Sequence, residues 1–224
     1  MKKTMLITAG WALAVLCTMP AQAAEKPTGP YVSGHIGIAM PSDTSVTFPA
    51  TPNVSLDIDY DTGLALDLAL GYKFGPARLE GEIGYQKNDF DDVTVNVAGV
   101  GSASLKGAGV PFSGDMKSTS FLVNGYYDFA TGSALTPYLS AGLGFARAKV
   151  GMDLPSVGYI FSDSDTVFAY QFGAGVEYAI SETVSLDLRY RYFATSDPSF
   201  DAEGVTMDAE FASHNLMLGA KVKF

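Results

Sequence analysis

The chain has 224 residues, of which 47% are hydrophobic and 17% charged, and its formal net charge is −10. Such acidity argues against nucleic-acid binding, which requires a basic surface. A single cysteine and two histidines exclude a disulfide framework and a histidine-rich metal site, and we expect no cofactor.

The first 23 residues have the three parts of a secretory signal peptide. Lysines at positions 2 and 3 precede an apolar run, and Ala21 and Ala23 form a small-x-small cleavage site. We therefore expect cleavage after Ala23, which leaves residues 24–224 as one mature domain. That domain has 12 basic and 24 acidic residues, so its net charge is −12.

The mature chain is dominated by an alternation of apolar and polar residues with a period of two, which indicates β-strands with two different faces. In residues 64–74, the clearest stretch, Leu, Tyr and Phe alternate with Ala, Asp, Gly and Lys. The pattern occurs seven more times. The predicted strands cover residues 31–39, 64–74, 77–87, 119–129, 138–148, 167–178, 184–193 and 213–224.

Each of these segments is about ten residues long, the length that a tilted transmembrane strand needs. No apolar run after the signal peptide approaches the roughly 20 residues of a spanning helix. In lipid, a closed barrel is the other structure that satisfies every backbone hydrogen bond. The sequence therefore predicts an all-β fold, an eight-stranded antiparallel transmembrane up-and-down β-barrel.

Short and long connections alternate between the predicted strands. This asymmetry is typical of outer-membrane barrels, which have short periplasmic turns and long extracellular loops. We therefore expect the chain in the outer membrane of a Gram-negative cell. The predicted extracellular loops are residues 40–61, 88–118, 150–165 and 194–208.

A soluble eight-stranded barrel, such as a lipocalin, would show the same alternation but would bury its apolar face. Two features favour the membrane form. The polar face is rich in glycine and other small residues, which fit a narrow interior. Aromatic residues also gather near both ends of the apolar face, as in interfacial girdles, with Tyr72 and Phe74 near a short turn and Tyr85 and Phe121 toward the long loops.

The phase of the strands turns six acidic and six basic side chains into the barrel. Ions in a low-dielectric interior must be paired and hydrogen-bonded. We expect Arg189 and Arg191 to bridge to Glu80, Glu82 and Asp187 and to plug the lumen, with an ion-selective pore as the alternative. The twelve side chains are Asp67, Lys73, Arg78, Glu80, Glu82, Asp128, Glu177, Asp187, Arg189, Arg191, Lys221 and Lys223.

Two other groups of residues offer candidate chemistry. Ser33 and His35 share the inward face of the first strand and, with an interior acid, have the residue types of a hydrolase. Closely spaced aspartates have the oxygen ligands that Ca²⁺ or Mg²⁺ prefers, but they match no EF-hand pattern and we favour a solvated acidic loop. These aspartates are Asp57, Asp59 and Asp61, then Asp89, Asp91 and Asp92, then Asp163 and Asp165.

The second and third strands are predicted to continue beyond the membrane as one hairpin. Apolar residues keep their phase upstream to Val54 and downstream to Val97. A two-residue turn after Phe74 sets the pairing so that Val54 faces Val97. We expect the hairpin to project about 30 Å from the membrane. The alternative is that these segments fold over the barrel mouth.

Three segments carry a family resemblance: TPYLSAGLGFA at 136–146, FGAGVEY at 172–178 and LDLRYRY at 186–192. Over nearly the whole mature chain, the sequence resembles the opacity-protein-like family of small outer-membrane β-barrels, which includes OmpA-like and OmpX-like porin-family surface antigens. The last strand also resembles the family's assembly signal, which the barrel-insertion machinery reads. Its residues here are Leu216, Leu218, Ala220, Val222 and Phe224.

The resemblance implies a structural or adhesin-like surface protein without catalytic residues. Its expected partners are outer-membrane lipid and lipopolysaccharide, the barrel-assembly machinery, and a host or cell-surface ligand bound by the acidic loops. A narrow porin and a lipid-modifying enzyme are the alternatives.

Overall fold

The computed structural model describes residues 28–47, 53–155, 158–196, 199–202, 205–209 and 211–224. Thirteen antiparallel strands cover most of this part of the chain. No helix in these ranges is long and apolar enough to cross a membrane. The signal peptide, with Ala21 and Ala23, falls outside the described residues.

Eight strands form a closed ring, which confirms the predicted fold. Seven of its pairings lie along the order β5-β4-β1-β13-β10-β9-β8-β7, and pairing of β5 with β7 closes it. The ring strands are β1 (Gly29–Pro41), β4 (Gly63–Phe74), β5 (Ala77–Val97), β7 (Ser113–Asp128), β8 (Leu135–Leu154), β9 (Tyr159–Ala179), β10 (Val184–Thr195) and β13 (Ala212–Lys223).

Five shorter strands extend the sheet beyond one end of the ring. Four of them form a sheet with the C-terminal part of β5, in the order β11-β12-β2-β3-β5. The fifth, β6, pairs with the other edge of β5. We call this part the projecting sheet. Its short strands are β2 (Thr44–Thr47), β3 (Val54–Tyr60), β6 (Gly101–Ser104), β11 (Ser199–Ala202) and β12 (Val205–Ala209).

The apolar side chains of the ring strands face outward and the polar ones face inward, as the alternation predicted. On β4, Leu68 is 67% exposed on the outside, whereas the neighbouring Asp67 is 4% exposed inside the barrel. Every ring strand carries exposed apolar residues on its outward face, and the interior is polar or ionic over most of its length. This arrangement is the reverse of a soluble barrel and suits a lipid surrounding.

The four segments predicted as loops contain β-structure beyond the hairpin that the sequence predicted between Val54 and Val97. Strands β5 and β9 have 21 residues each, and β8 pairs with β9 up to Leu154 and Tyr159. The predicted loop 150–165 is therefore mostly strand, and so are large parts of 40–61, 88–118 and 194–208. Backbone pairing therefore continues beyond the ends of the predicted strands.

The projecting hairpin pairs in the predicted register. Leu68 faces Ile83 within the barrel, and Val54 faces Val97 at the far end. An irregularity between Asp59 and Tyr60 shifts the pairing by one residue, and such bulges bend a strand. Ile58 is buried at the barrel mouth, so the base of the hairpin also covers the mouth, as in the alternative prediction.

Candidate functional site

The barrel interior collects all twelve of the charged side chains assigned to it from the sequence. Eleven of them are buried, and Lys223, at the end of the barrel that has the short turns, keeps 14% of its side chain exposed. Successive inward positions on each strand stack them in layers along the barrel axis. The layers differ in chemistry, with ions at the level of the short turns and in the middle, and apolar side chains at the far end.

The layer nearest the short turns is centred on Arg78. Its Nε donates to Asp128 Oδ1 at 2.9 Å, and Lys73 donates to the other oxygen of the same carboxylate. The Arg78 guanidinium also lies 4.4 Å from the ring centroid of Tyr126. Lys221 binds Glu177 in the same way across β13 and β9. These contacts neutralise each buried charge with a partner on another strand.

The middle layer connects opposite walls through Glu82. Arg191 Nη1 donates to Glu82 Oε1 at 2.9 Å, and Arg189 Nη1 lies 3.4 Å from the second oxygen. Arg189 also lies 3.5 Å from an oxygen of Asp67 and 3.8 Å from one of Asp187. Asn124 Nδ2 donates to Glu82 at 2.8 Å. Each carboxylate here therefore has at least one cationic neighbour.

The predicted bridge from the two arginines to Glu80 is wrong. Glu80 instead accepts a hydrogen bond from Tyr31 Oη at 2.6 Å, and its nearest cation in the described interior is Arg78 at 3.9 Å. The reason is axial position, because Glu80 lies two residues closer to the short turns than Glu82. Arg189 and Arg191 lie at the level of Glu82.

His35 does not form a catalytic pair with Ser33. Its Nδ1 lies 2.6 Å from Asp67 Oδ1, and its Nε2 lies 3.2 Å from both Asp187 Oδ1 and Arg189 Nη2. Both ring nitrogens are therefore occupied, and Ser33 Oγ has no hydrogen-bond partner in the described structure. A serine hydrolase needs a histidine ring nitrogen that is free to accept the serine proton. His35 has no such nitrogen in this arrangement.

Above the ions, an apolar layer closes the barrel mouth. The Tyr60 ring lies 5.4 Å from Phe90 and 6.5 Å from Phe211, and Phe193 lies 6.3 Å from Phe211. The other buried members of this cluster are Val46, Ile58, Met116, Leu122, Ala146, Ala148 and Ala169. We call it the apolar cap. Sequence reasoning missed it, although Phe90 and Phe193 continue the inward phase of their strands with aromatic instead of polar residues.

The acidic clusters of the projecting sheet are held by hydrogen bonds. Asp57 accepts from Ser45 and from Asn96, both at 2.7 Å, and Asp92 accepts from Ser104 at 2.5 Å. The bond from Ser104 lowers the pKa of Asp92. Partial burial and neighbouring carboxylates raise the pKa of Asp59. Within the described ranges, no three acidic, His or Cys side chains converge as a metal site would require.

The residues compared with an assembly signal form an outward row along β13 that ends at Phe224, at the end of the barrel that has the short turns. Leu218 and Phe224 are 63% and 75% exposed, so they face the membrane. Phe224 N donates to Pro30 O at 3.2 Å, which joins the last residue to the first ring strand. The other members of this outward row are Leu216, Ala220 and Val222.

The geometry agrees with comparisons to known proteins. Residues 9–224 match the family model described as "Outer membrane protein beta-barrel domain". The chain belongs to this family. It is an integral β-barrel protein of the Gram-negative outer membrane, and its relatives are named accordingly.

Two curated relatives match about half of the chain. The outer membrane protein PagN of Salmonella typhimurium is 32% identical over 121 residues, which are 49% of this chain and 51% of PagN. A 22 kDa outer membrane protein of Rhizobium leguminosarum bv. viciae is 29% identical over 104 residues, 45% of this chain and 46% of that protein. The chain thus spans about half the length of each relative.

Solved structures share the fold at low sequence identity. OprG of Pseudomonas aeruginosa has a TM-score of 0.56 and 16% identity, and the match covers 92% of this chain and 99% of OprG. The neisserial surface protein NspA has a TM-score of 0.50 and 22% identity, with 88% and 97% covered. The Escherichia coli protease OmpT also matches, at a TM-score of 0.54 and 8% identity, over 91% and 99%.

Proposed function

We propose that this protein is a non-enzymatic surface protein whose plugged barrel anchors an acidic projecting sheet for contact with another cell surface. Separation of charge between the barrel and its extracellular part carries the proposal. Residues 40–61, 88–118, 150–165 and 194–208 contain fifteen acidic and two basic residues, a net charge of −13. The rest of the mature chain then has a net charge of about +1.

A neutral barrel beneath an acidic surface suits a role in presentation. The projecting sheet is paired through its backbone with β5, which continues into the ring, so the barrel can hold the sheet above the membrane. Steering by such a surface favours a partner with a basic patch, because complementary potentials raise the rate of encounter.

The filled lumen favours a role of the barrel as a membrane anchor over a role in transport. Paired ions fill the middle of the barrel, and the apolar cap lies directly above them. An eight-stranded barrel has room for side chains and little else. An ion crossing this interior would have to break the Arg191–Glu82 pair and pass aromatic rings, both of which oppose conduction.

Conductance tests the plug against a narrow porin. The mature protein is refolded into planar bilayers, and we expect no steady openings. The double variant Glu82→Ala, Arg191→Ala removes the central pair and is the matched comparison. Steady openings of uniform size from the unaltered protein would refute the plug and favour a pore.

Adhesion is tested by shortening the projecting sheet. Replacing residues 91–112 with a short Gly-Ser linker removes β6 and the outer part of β5, but keeps the β5–β7 pairing up to Asp89 and Asp115. The control replaces residues 155–158, the connection between β8 and β9. Bacteria displaying the first variant should bind host cells or matrix at least tenfold less than the control. Equal binding at equal surface level would contradict the adhesive role.

A further inference from the structure

The basic residues outside the lumen are concentrated on one part of the barrel's outer surface. Of the twelve basic residues after position 23, six point into the barrel, Lys26 precedes the described residues, and Lys106 lies beyond β6. The remaining four lie on the outer faces of three neighbouring strands, β5, β7 and β8. We call them the basic patch: Lys87, Lys117, Arg147 and Lys149.

The three lysines of the patch lie directly beside one another. Lys87 on β5 is the register partner of Lys117 on β7, and Lys117 is in turn the partner of Lys149 on β8. Side chains at such positions have Cβ atoms about 5 Å apart. Like charges directly opposite each other destabilise a sheet, so a row of three lysines needs compensating negative charge.

Aspartates farther from the membrane neutralise only two of the four basic side chains of the patch. Lys87 Nζ lies 2.8 Å from Asp89, and Lys117 Nζ lies 2.7 Å from Asp115, each on its own strand and one outward position farther from the membrane. Arg147 Nη2 donates to Ser164 Oγ at 3.1 Å. Lys149 has neither a hydrogen-bond nor an ion-pair partner in the described part of the chain. The side of the patch that faces the membrane therefore lacks an anion.

The height of the patch identifies the source of that anion. A row of exposed apolar residues crosses the same strands below it, with Ile83 beside Phe121 and Phe121 beside Phe145. Each patch lysine lies four residues farther along its strand, about 13 Å along the strand and about 10 Å in height at a tilt near 40°. Aromatic rows mark the edge of the hydrocarbon, so the lysines lie among the lipid headgroups.

We propose that Lys87, Lys117, Arg147 and Lys149 bind the phosphate groups of a phosphorylated headgroup lipid in the outer leaflet. Lysine and arginine are the usual ligands of phosphate in proteins, and basic residues at a membrane surface attract anionic headgroups. The site is separate from the acidic projecting sheet. It depends on the outer-membrane location and not on adhesion, so either proposal can fail alone.

Single substitutions test the patch on folded, full-length mature protein in nanodiscs. The probe is fluorescent lipid A that carries both phosphates, with dephosphorylated lipid A as the comparison. Lys149→Gln removes one positive charge from the patch without breaking a contact within the protein. Lys106→Gln is the matched control because it removes an equal charge outside the patch. We expect about fivefold weaker binding for Lys149→Gln and no change for Lys106→Gln.

Two further variants make the result specific. Lys149→Arg should retain binding, and Asp115→Asn should strengthen it, because Lys117 then loses its competing partner. Heat-modifiable gel mobility verifies that each variant is folded. Equal binding of dephosphorylated lipid A, or equal effects of Lys149→Gln and Lys106→Gln, would overturn the proposal. If Lys149→Gln lost binding to soluble heparin but kept its binding to lipid A, the patch would be assigned to sulfated glycans instead.

Discussion

Arg191 on β10 and Glu82 on β5 lie four strands apart in a ring of eight, and Arg191 Nη1 donates to Glu82 Oε1 at 2.9 Å across the lumen. This contact therefore connects diametrically opposed walls of the barrel. Because both groups are buried, each is the main compensation for the charge of the other.

Removing one member of this pair should destabilise the barrel strongly. Glu82→Ala leaves Arg191 buried beside fewer acids, and we expect a loss of about 3–5 kcal/mol in the free energy of unfolding. The double variant Glu82→Leu, Arg191→Met should lose much less, because no unpaired charge remains. Urea unfolding in lipid vesicles measures both. Equal losses in the single and double variants would show that the pair itself has little role.

Gly37 on β1 should not tolerate a side chain. A Cβ at this position would lie 2.1 Å from Leu216 O and 2.6 Å from Met217 Cα, both backbone atoms of β13. We expect Gly37→Ala to reduce stability by about 1–3 kcal/mol, as overpacking does. Gly81→Ala is the control, since nothing lies within 4 Å of its added Cβ. Folding is followed by heat-modifiable gel mobility and urea titration; similar effects of the two changes would contradict the steric reason.

Phe224 should matter more for assembly than for stability. Its side chain is 75% exposed, so its removal costs the folded barrel few contacts within the protein. We expect Phe224→Ala to reduce the folded barrel in outer-membrane fractions severalfold while leaving urea unfolding of the purified protein nearly unchanged. Leu188→Ala, at an outward position of β10, is the control and should assemble normally. Normal assembly of Phe224→Ala would remove the basis for an assembly signal in this strand.

The segment beyond β6 should loosen in acid through Asp92. This carboxylate accepts from Ser104 Oγ at 2.5 Å and from the backbone N of Lys106 at 3.1 Å, and these bonds hold its pKa below 3.8. A lowered pKa in the folded state means that the stabilisation is present at neutral pH and is lost as the pH falls below 3.8. Asp92→Ala should loosen the segment at every pH.

Hydrogen exchange of residues 93–110 measures this loosening. The unaltered protein should show protection at neutral pH and lose it progressively as the pH falls below 3.8, relative to the β8–β9 hairpin in the same sample. In Asp92→Ala, protection should be weak over the whole range. A pH dependence that persists in the variant would assign the effect to another carboxylate.

The barrel itself could be predicted because alternation is a local property. On β4, residues 64–74 set which side chains face lipid, since successive residues of a strand point to opposite faces. The turn at Gly75, with a φ of 60°, likewise fixes the register of Leu68 with Ile83 and, beyond the membrane, of Val54 with Val97. These features need only residues that are near each other in sequence or joined by a short turn.

The sequence alone thus determined the fold, the inward set of ions and the register of the first hairpin. Only the tertiary structure decided that Arg191 pairs with Glu82 and that Glu80 pairs with Tyr31. It also decided that Lys87 on β5 lies beside Lys117 on β7. The physical reason is that these contacts depend on the stagger between strands joined by long connections and on the closure of the ring, and neither is encoded in the alternation of any single strand.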